Sequence, residues 1–145
     1  MQVFYHYTTH TNVKGIRKDG QINPSEGYYN QHGVWLTKMG PSHTKEEILW
    51  NNYEYDGKTA KTKLRRAACY VEINLPLENV MDLSWRRNHE GQDLWIWPQV
   101  NGPLVLDGLE HRIGIQLSRR WIADDLHCKF CDSVADFLVN FGQFW

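Results

Sequence analysis

Cysteine is scarce in this 145-residue chain: Cys69, Cys128 and Cys131 are the full set of three. That odd, small number excludes a disulfide-framed scaffold and fits reduced thiols. The stretch "HCKFC" (His127 to Cys131) holds half of a zinc site, and Cys69 is the only further thiol, so free buried cysteines are expected instead. Long apolar runs are missing too. No stretch approaches about 18 consecutive apolar residues, and the N-terminal "MQVFYHY" has neither a basic leader nor an apolar h-region. The expectation is a soluble protein without membrane contact, cytoplasmic in its own cell or in a cell it is delivered into. Neither sign of charge dominates: 16 Lys and Arg stand against 17 Asp and Glu, for a formal net charge of -1. This excludes the global basic field with which nucleic-acid binders gather phosphates, and leaves a local patch such as "KTAKTKLRR" (Lys58 to Arg66). Repeats, low-complexity segments and linkers are also absent, which leaves one domain over residues 1–145, long enough to bury about two thirds of its unfolded surface.

What the chain has in excess is aromatic: seven Trp and seven Tyr, more than a core of this size requires. Strand and helix signals alternate along it. "VFYHYT" (Val3 to Thr8) is β-branched and aromatic and reads as a strand, and "HTNVKGIRKDG" reads as a short helix capped by Thr9 or Thr11 and stopped by Gly20. "GVWLT" (Gly33 to Thr37) is a second strand, after a loop that carries Tyr28 and Tyr29. A capping box, Thr44 to Glu47, opens a helix through Trp50, and the polar segment Asn51 to Lys63 reads as a loop. "AACYVEINL" (Ala67 to Leu75) alternates apolar and polar residues as a half-buried strand does. "LENVMDLSW" follows as a turn or short helix, then edge strands in "DLWIWPQV" and "PLVLDG" interrupted by Pro98 and Pro103. "HRIGIQL" (His111 to Leu117) is another strand, and a capped helix from Asp132 to Gly142 closes the chain. The pattern is α+β.

One histidine between two tyrosines on a first strand ("FYHYTT"), then a short helix, "DGQINPS", "GVWLT", and far downstream Glu110 directly before "HRIGIQL", together form a recognisable order. It resembles the ADP-ribosyltransferase superfamily, in its histidine-tyrosine-glutamate branch of diphtheria-toxin-like toxins and poly(ADP-ribose) polymerases, most strongly over Val3 to Lys38. The resemblance implies a split β-sandwich with a few short helices around an NAD cleft, with His6 and Trp35 on neighbouring central strands and Glu110 at the cleft edge. It implies NAD as substrate, with no metal, and transfer of ADP-ribose to an acceptor that is a protein, a nucleic acid or a small molecule; with water as acceptor the enzyme is an NAD glycohydrolase. Carried over by position, His6 would bond a ribose hydroxyl, Tyr7 would offer backbone groups to the nicotinamide carboxamide, and Thr8 would add its hydroxyl. Trp35 stands where the family commonly has a stacking tyrosine, with Thr37 and Ser42 as small hydroxyls near the ring. Glu110 would be the catalytic carboxylate, with Asp107 and His111 as rivals for its place. Gly108, two before Glu110, departs from the Gln or Glu of arginine-modifying relatives.

The chemistry calls for such a set. Cleaving the nicotinamide-ribose bond builds positive charge on the ribose, which a nearby carboxylate stabilises, while the neutral leaving group needs only a flat face and partners for its amide. Each residue also has a plainer reading: Glu110 as a solvated strand-entry charge, Trp35 as core, Arg65 and Arg66 as solvated surface. Tyr28 and Tyr29, being loop aromatics, suit a lid over a ligand. Two further functions fit the same map: an RNA 2′-phosphotransferase that uses NAD, and a binding module for NAD or ADP-ribose without turnover.

Overall fold

The structure, a computed structural model, describes residues 1–27, 31–53, 63–84 and 93–117. In chain order the elements are β1 (Gln2–Thr8), α1 (His10–Asp19), β2 (Gln21–Ile22), β3 (Ser25–Glu26), β4 (His32–Leu36), α2 (Lys45–Tyr53), β5 (Cys69–Leu75), β6 (Met81–Asp82), β7 (Trp95–Pro98), β8 (Leu104–Val105) and β9 (His111–Ile115), with a short 3-10 turn at Leu64–Ala67 before β5. The fold is mixed α+β, mostly antiparallel sheet with two helices among the described residues. The expected helix from Asp132 to Gly142, Cys128, Cys131, Tyr28 and Tyr29 lie outside the described residues. No helix among the described residues is long and apolar enough to cross a membrane.

Local signals act as their chemistry dictates. Thr9 caps α1, its hydroxyl accepting from the Asn12 N–H at 3.1 Å, and Gly20 ends the helix in the left-handed region (φ 69°) with its N–H on the Ile16 carbonyl. The capping box of α2 closes reciprocally: Glu47 N–H donates to Thr44 Oγ1 and Thr44 N–H donates to Glu47 Oε1, each at 3.2 Å.

β1, β5 and β9 form one sheet in that order, with His6 opposite Val71 and Val71 opposite Ile113. β3, β4, β7 and β6 form a second, with Trp35 opposite Ile96. Among the described residues a single bridge joins them, where Tyr5 N–H donates to the Thr37 carbonyl at 2.8 Å and Thr37 N–H donates to the Tyr5 carbonyl at 3.0 Å. The strands thus run β9-β5-β1, then across one pair to β4-β7-β6. On the face of β1 that carries Phe4, the main core gathers Phe4, Ile16, Val34, Leu36, Val71, Ile73 and Leu104, and the Trp95 ring lies 5.3 Å from that of Phe4. On the other face Tyr7 and Tyr70 pack with Ile48 and Leu49 of α2.

Candidate functional site

The two sheets part immediately beyond the Tyr5–Thr37 bridge, and hydrogen-bond alternation explains what is left open. In an antiparallel pair, residues that bond one neighbouring strand alternate with residues that bond the other. Tyr5 bonds β4, so His6 bonds β5 and Tyr7 turns its N–H and C=O back toward β4, where Trp35 would be its partner. That pair is not made: among the described residues β1 and β4 share no bridge beyond Tyr5 and Thr37. Instead His6 Nδ1 lies 2.9 Å from the Trp35 carbonyl oxygen. On the same edge of β4, β3 pairs with His32 and Gly33. Between β3 and β1 there remains a window on the edge of β4, with His6 as the wedge that holds it open.

The carbonyl oxygen of Trp35 can only accept, so Nδ1 of His6 carries the proton and Nε2 of the neutral ring is an acceptor. Desolvation lowers the His6 pKa from the ordinary 6.5, against the raising effect of the bond to Trp35, and so favours the neutral ring. Two connected chambers meet at this ring. The smaller, about 210 Å³, is lined by His6, Tyr7, Glu26, Gly27, Trp35 and Leu94. The larger, about 790 Å³, runs from His6 and Thr8 along Asn12 and Asp19 of α1 to Lys63, Arg65 and Arg66. Arg66 and Ser25 line both.

Of the residues expected from the sequence, His6, Tyr7, Thr8 and Trp35 are brought together here. Tyr7 contributes its backbone, since its ring is buried and its hydroxyl donates to the Met39 carbonyl at 2.8 Å; that burial also raises the phenol pKa. The Thr8 hydroxyl accepts from Asn12 Nδ2 at 3.0 Å. The indole of Trp35 packs with Leu83, Leu94 and Ile96, and a Cβ on Gly27 would overlap its ring. Gly27→Ala is therefore expected to displace Trp35 and alter the smaller chamber, read as a shift in tryptophan emission with little loss of secondary structure.

The other expected residues stand elsewhere. Glu110 precedes β9 and accepts from Asn74 Nδ2 at 3.4 Å. Strand residues point alternately to opposite faces, so Asn74 shares the face of Glu72 and Tyr5, opposite to that of Phe4 and His6. Glu110 is exposed and lines neither of the two chambers. Asp107 and His111 line a separate open cavity of about 500 Å³ with Arg17 and Arg112. Thr37 is only 1 % exposed, and its hydroxyl accepts from Met39 N–H and Asn51 Nδ2, so it is an interior hub and not a cleft hydroxyl. Ser42 sits in an exposed turn before α2.

The sequence reading missed Glu26, an acid that lines the same chamber as Trp35, because β3 is two residues long and carries no periodic signal. It also missed a buried clamp behind Leu94. Asn51, fully buried, accepts from Asp93 N–H through Oδ1 at 2.6 Å and donates through Nδ2 to the Asp93 carbonyl at 2.8 Å. Asp93 Oδ2 accepts from Lys38 N–H at 3.2 Å while Oδ1 is buried without a hydrogen-bond partner, and burial raises the carboxyl pKa against the opposing effects of Trp95 and Lys38. Among the described residues no group of three or more His, Cys, Asp or Glu is placed to hold a metal ion. Compared with family models, with curated proteins and with solved structures, the chain has no match.

Proposed function

We propose that this chain is an NAD-dependent ADP-ribosyltransferase of the split β-sandwich type, with the nicotinamide in the smaller chamber and the rest of the dinucleotide along the larger. The observation that carries the reading is the window between β1 and β4. There Tyr7 turns an N–H and a C=O toward the same opening, the complement of a carboxamide's C=O and NH₂, beside the Trp35 ring. His6 Nε2 is an acceptor suited to a ribose hydroxyl, and Lys63, Arg65 and Arg66 supply positive charge for phosphates. The order of the strands, broken at a single bridge, supports the same architecture.

In this reaction the C–N bond between ribose C1′ and the nicotinamide nitrogen breaks, and its electron pair leaves on the now neutral nicotinamide. The acceptor then adds to C1′ and gives up its proton. A carboxylate stabilises the charge that develops on the ribose. Glu26, which shares the smaller chamber with His6 and Trp35, takes that role in place of Glu110.

The test is nicotinamide release and NAD affinity for Glu26→Gln beside Glu110→Gln. Loss of one such electrostatic contact costs about 100- to 1000-fold in rate, so Glu26→Gln is expected to fall by that factor with NAD affinity nearly unchanged. Glu110→Gln is expected to match the wild type. The reverse pattern would return the acid role to Glu110. Absence of any NAD binding up to millimolar concentration, by calorimetry or tryptophan emission, would overturn the reading as a whole.

A further inference from the structure

We infer that the turn carrying Lys63, Arg65 and Arg66, at the mouth of the larger chamber, binds the phosphate backbone of a single-stranded nucleic acid. Five of the chain's 16 Lys and Arg lie between Lys58 and Arg66, with no Asp or Glu among them, so the remainder of a chain of net charge -1 is acidic. The positive field is thus local, and the described part of it is aimed into a cavity: Lys63, Arg65 and Arg66 all line the larger chamber, and both arginines are exposed. The same chamber is lined by Asn12, Gln21 and Asn23, side-chain amides that offer donors and acceptors to base edges, and by one acid, Asp19, against the three cations. An intact duplex does not enter a chamber of about 790 Å³, whereas a strand with its bases splayed out does. This inference goes beyond the reading of NAD chemistry and is measured without NAD, so either can fail alone.

The experiment is fluorescence anisotropy of labelled 12-nucleotide single-stranded RNA and DNA with the full chain between 50 and 200 mM salt. With three phosphates neutralised, log K is expected to fall against log salt with a slope of about -2, so that affinity drops about 20-fold over this range. Arg65→Gln and Arg66→Gln are each expected to lower the slope by about 0.7, and Arg65→Lys to restore it. Arg65 is exposed, so its variant carries the test if Arg66→Gln fails to fold by circular dichroism. No anisotropy change at 50 mM salt, an unaltered slope in Arg65→Gln, or equal competition by inorganic pyrophosphate or by polyglutamate at matched charge would overturn the inference.

Discussion

Asn51→Ala is expected to be the most destabilising single change among the described residues outside the apolar core, at about 3 to 5 kcal/mol, or roughly 10 °C or more in Tm. The cause is what the change leaves behind. Asn51 satisfies both backbone groups of Asp93 and donates to Thr37 Oγ1, whose hydroxyl also holds the Met39 N–H just past the bridge between the sheets. Truncation strands buried donors and acceptors, each costing about 1 to 3 kcal/mol. Asn51→Leu separates this from cavity formation, since it restores volume and not the hydrogen bonds. Thermal denaturation should show Leu nearly as destabilised as Ala; a leucine variant close to the wild type would mean that packing, and not the clamp on Asp93, is what Asn51 provides.

The longer strands of this fold were legible from the residue types they carry. "VFYHYT", "GVWLT", "AACYVEINL" and "HRIGIQL" became β1, β4, β5 and β9: β-branched and aromatic residues suit a pleated sheet, and in β5 the alternation of apolar and polar residues follows the pleat itself. Caps were legible for the same local reason, Thr9 and Thr44 being chosen by the unsatisfied N–H groups that follow them. β2, β3 and β6 were not, since strands of two residues are specified by their partners and leave no pattern in the chain; β8, equally short, was read only as part of "PLVLDG".

The site divides along the same line. His6, Tyr7 and Trp35 come from two long strands joined at one bridge, and their proximity follows once those strands are drawn side by side. Glu110 does not, because reading it into the cleft requires knowing which face it occupies. A single residue of register decides that, and register is set by the pairing of β9 with β5 far upstream. Asn51 lay in what read as a polar loop. Its type gave no hint that helix α2 would extend to Tyr53 and bury its amide against the start of β7.

His6→Asn and His6→Ala are expected to part company, and the difference separates the wedge from the ligand site. The amide nitrogen of an asparagine at position 6 can reach where Nδ1 stood, so it keeps the donor for the Trp35 carbonyl while removing the Nε2 acceptor. His6→Asn should fold with stability within about 1 kcal/mol of the wild type and bind NAD about tenfold more weakly, the loss of one neutral hydrogen bond. His6→Ala loses both, leaving the Trp35 carbonyl without its partner and a void where the strands part, at about 2 to 3 kcal/mol in stability in addition to the weaker NAD binding. Acidity gives an independent readout. Because burial holds the His6 pKa below its unfolded value of 6.5, the folded state binds fewer protons than the unfolded one as pH drops through that range. Stability therefore holds its full His6 contribution above pH 6.5 and declines as pH falls from there toward the lowered folded-state pKa. In His6→Asn that part of the decline should vanish. Wild-type NAD affinity in His6→Asn, together with the lost pH response, would make the imidazole a wedge between two sheets and nothing more.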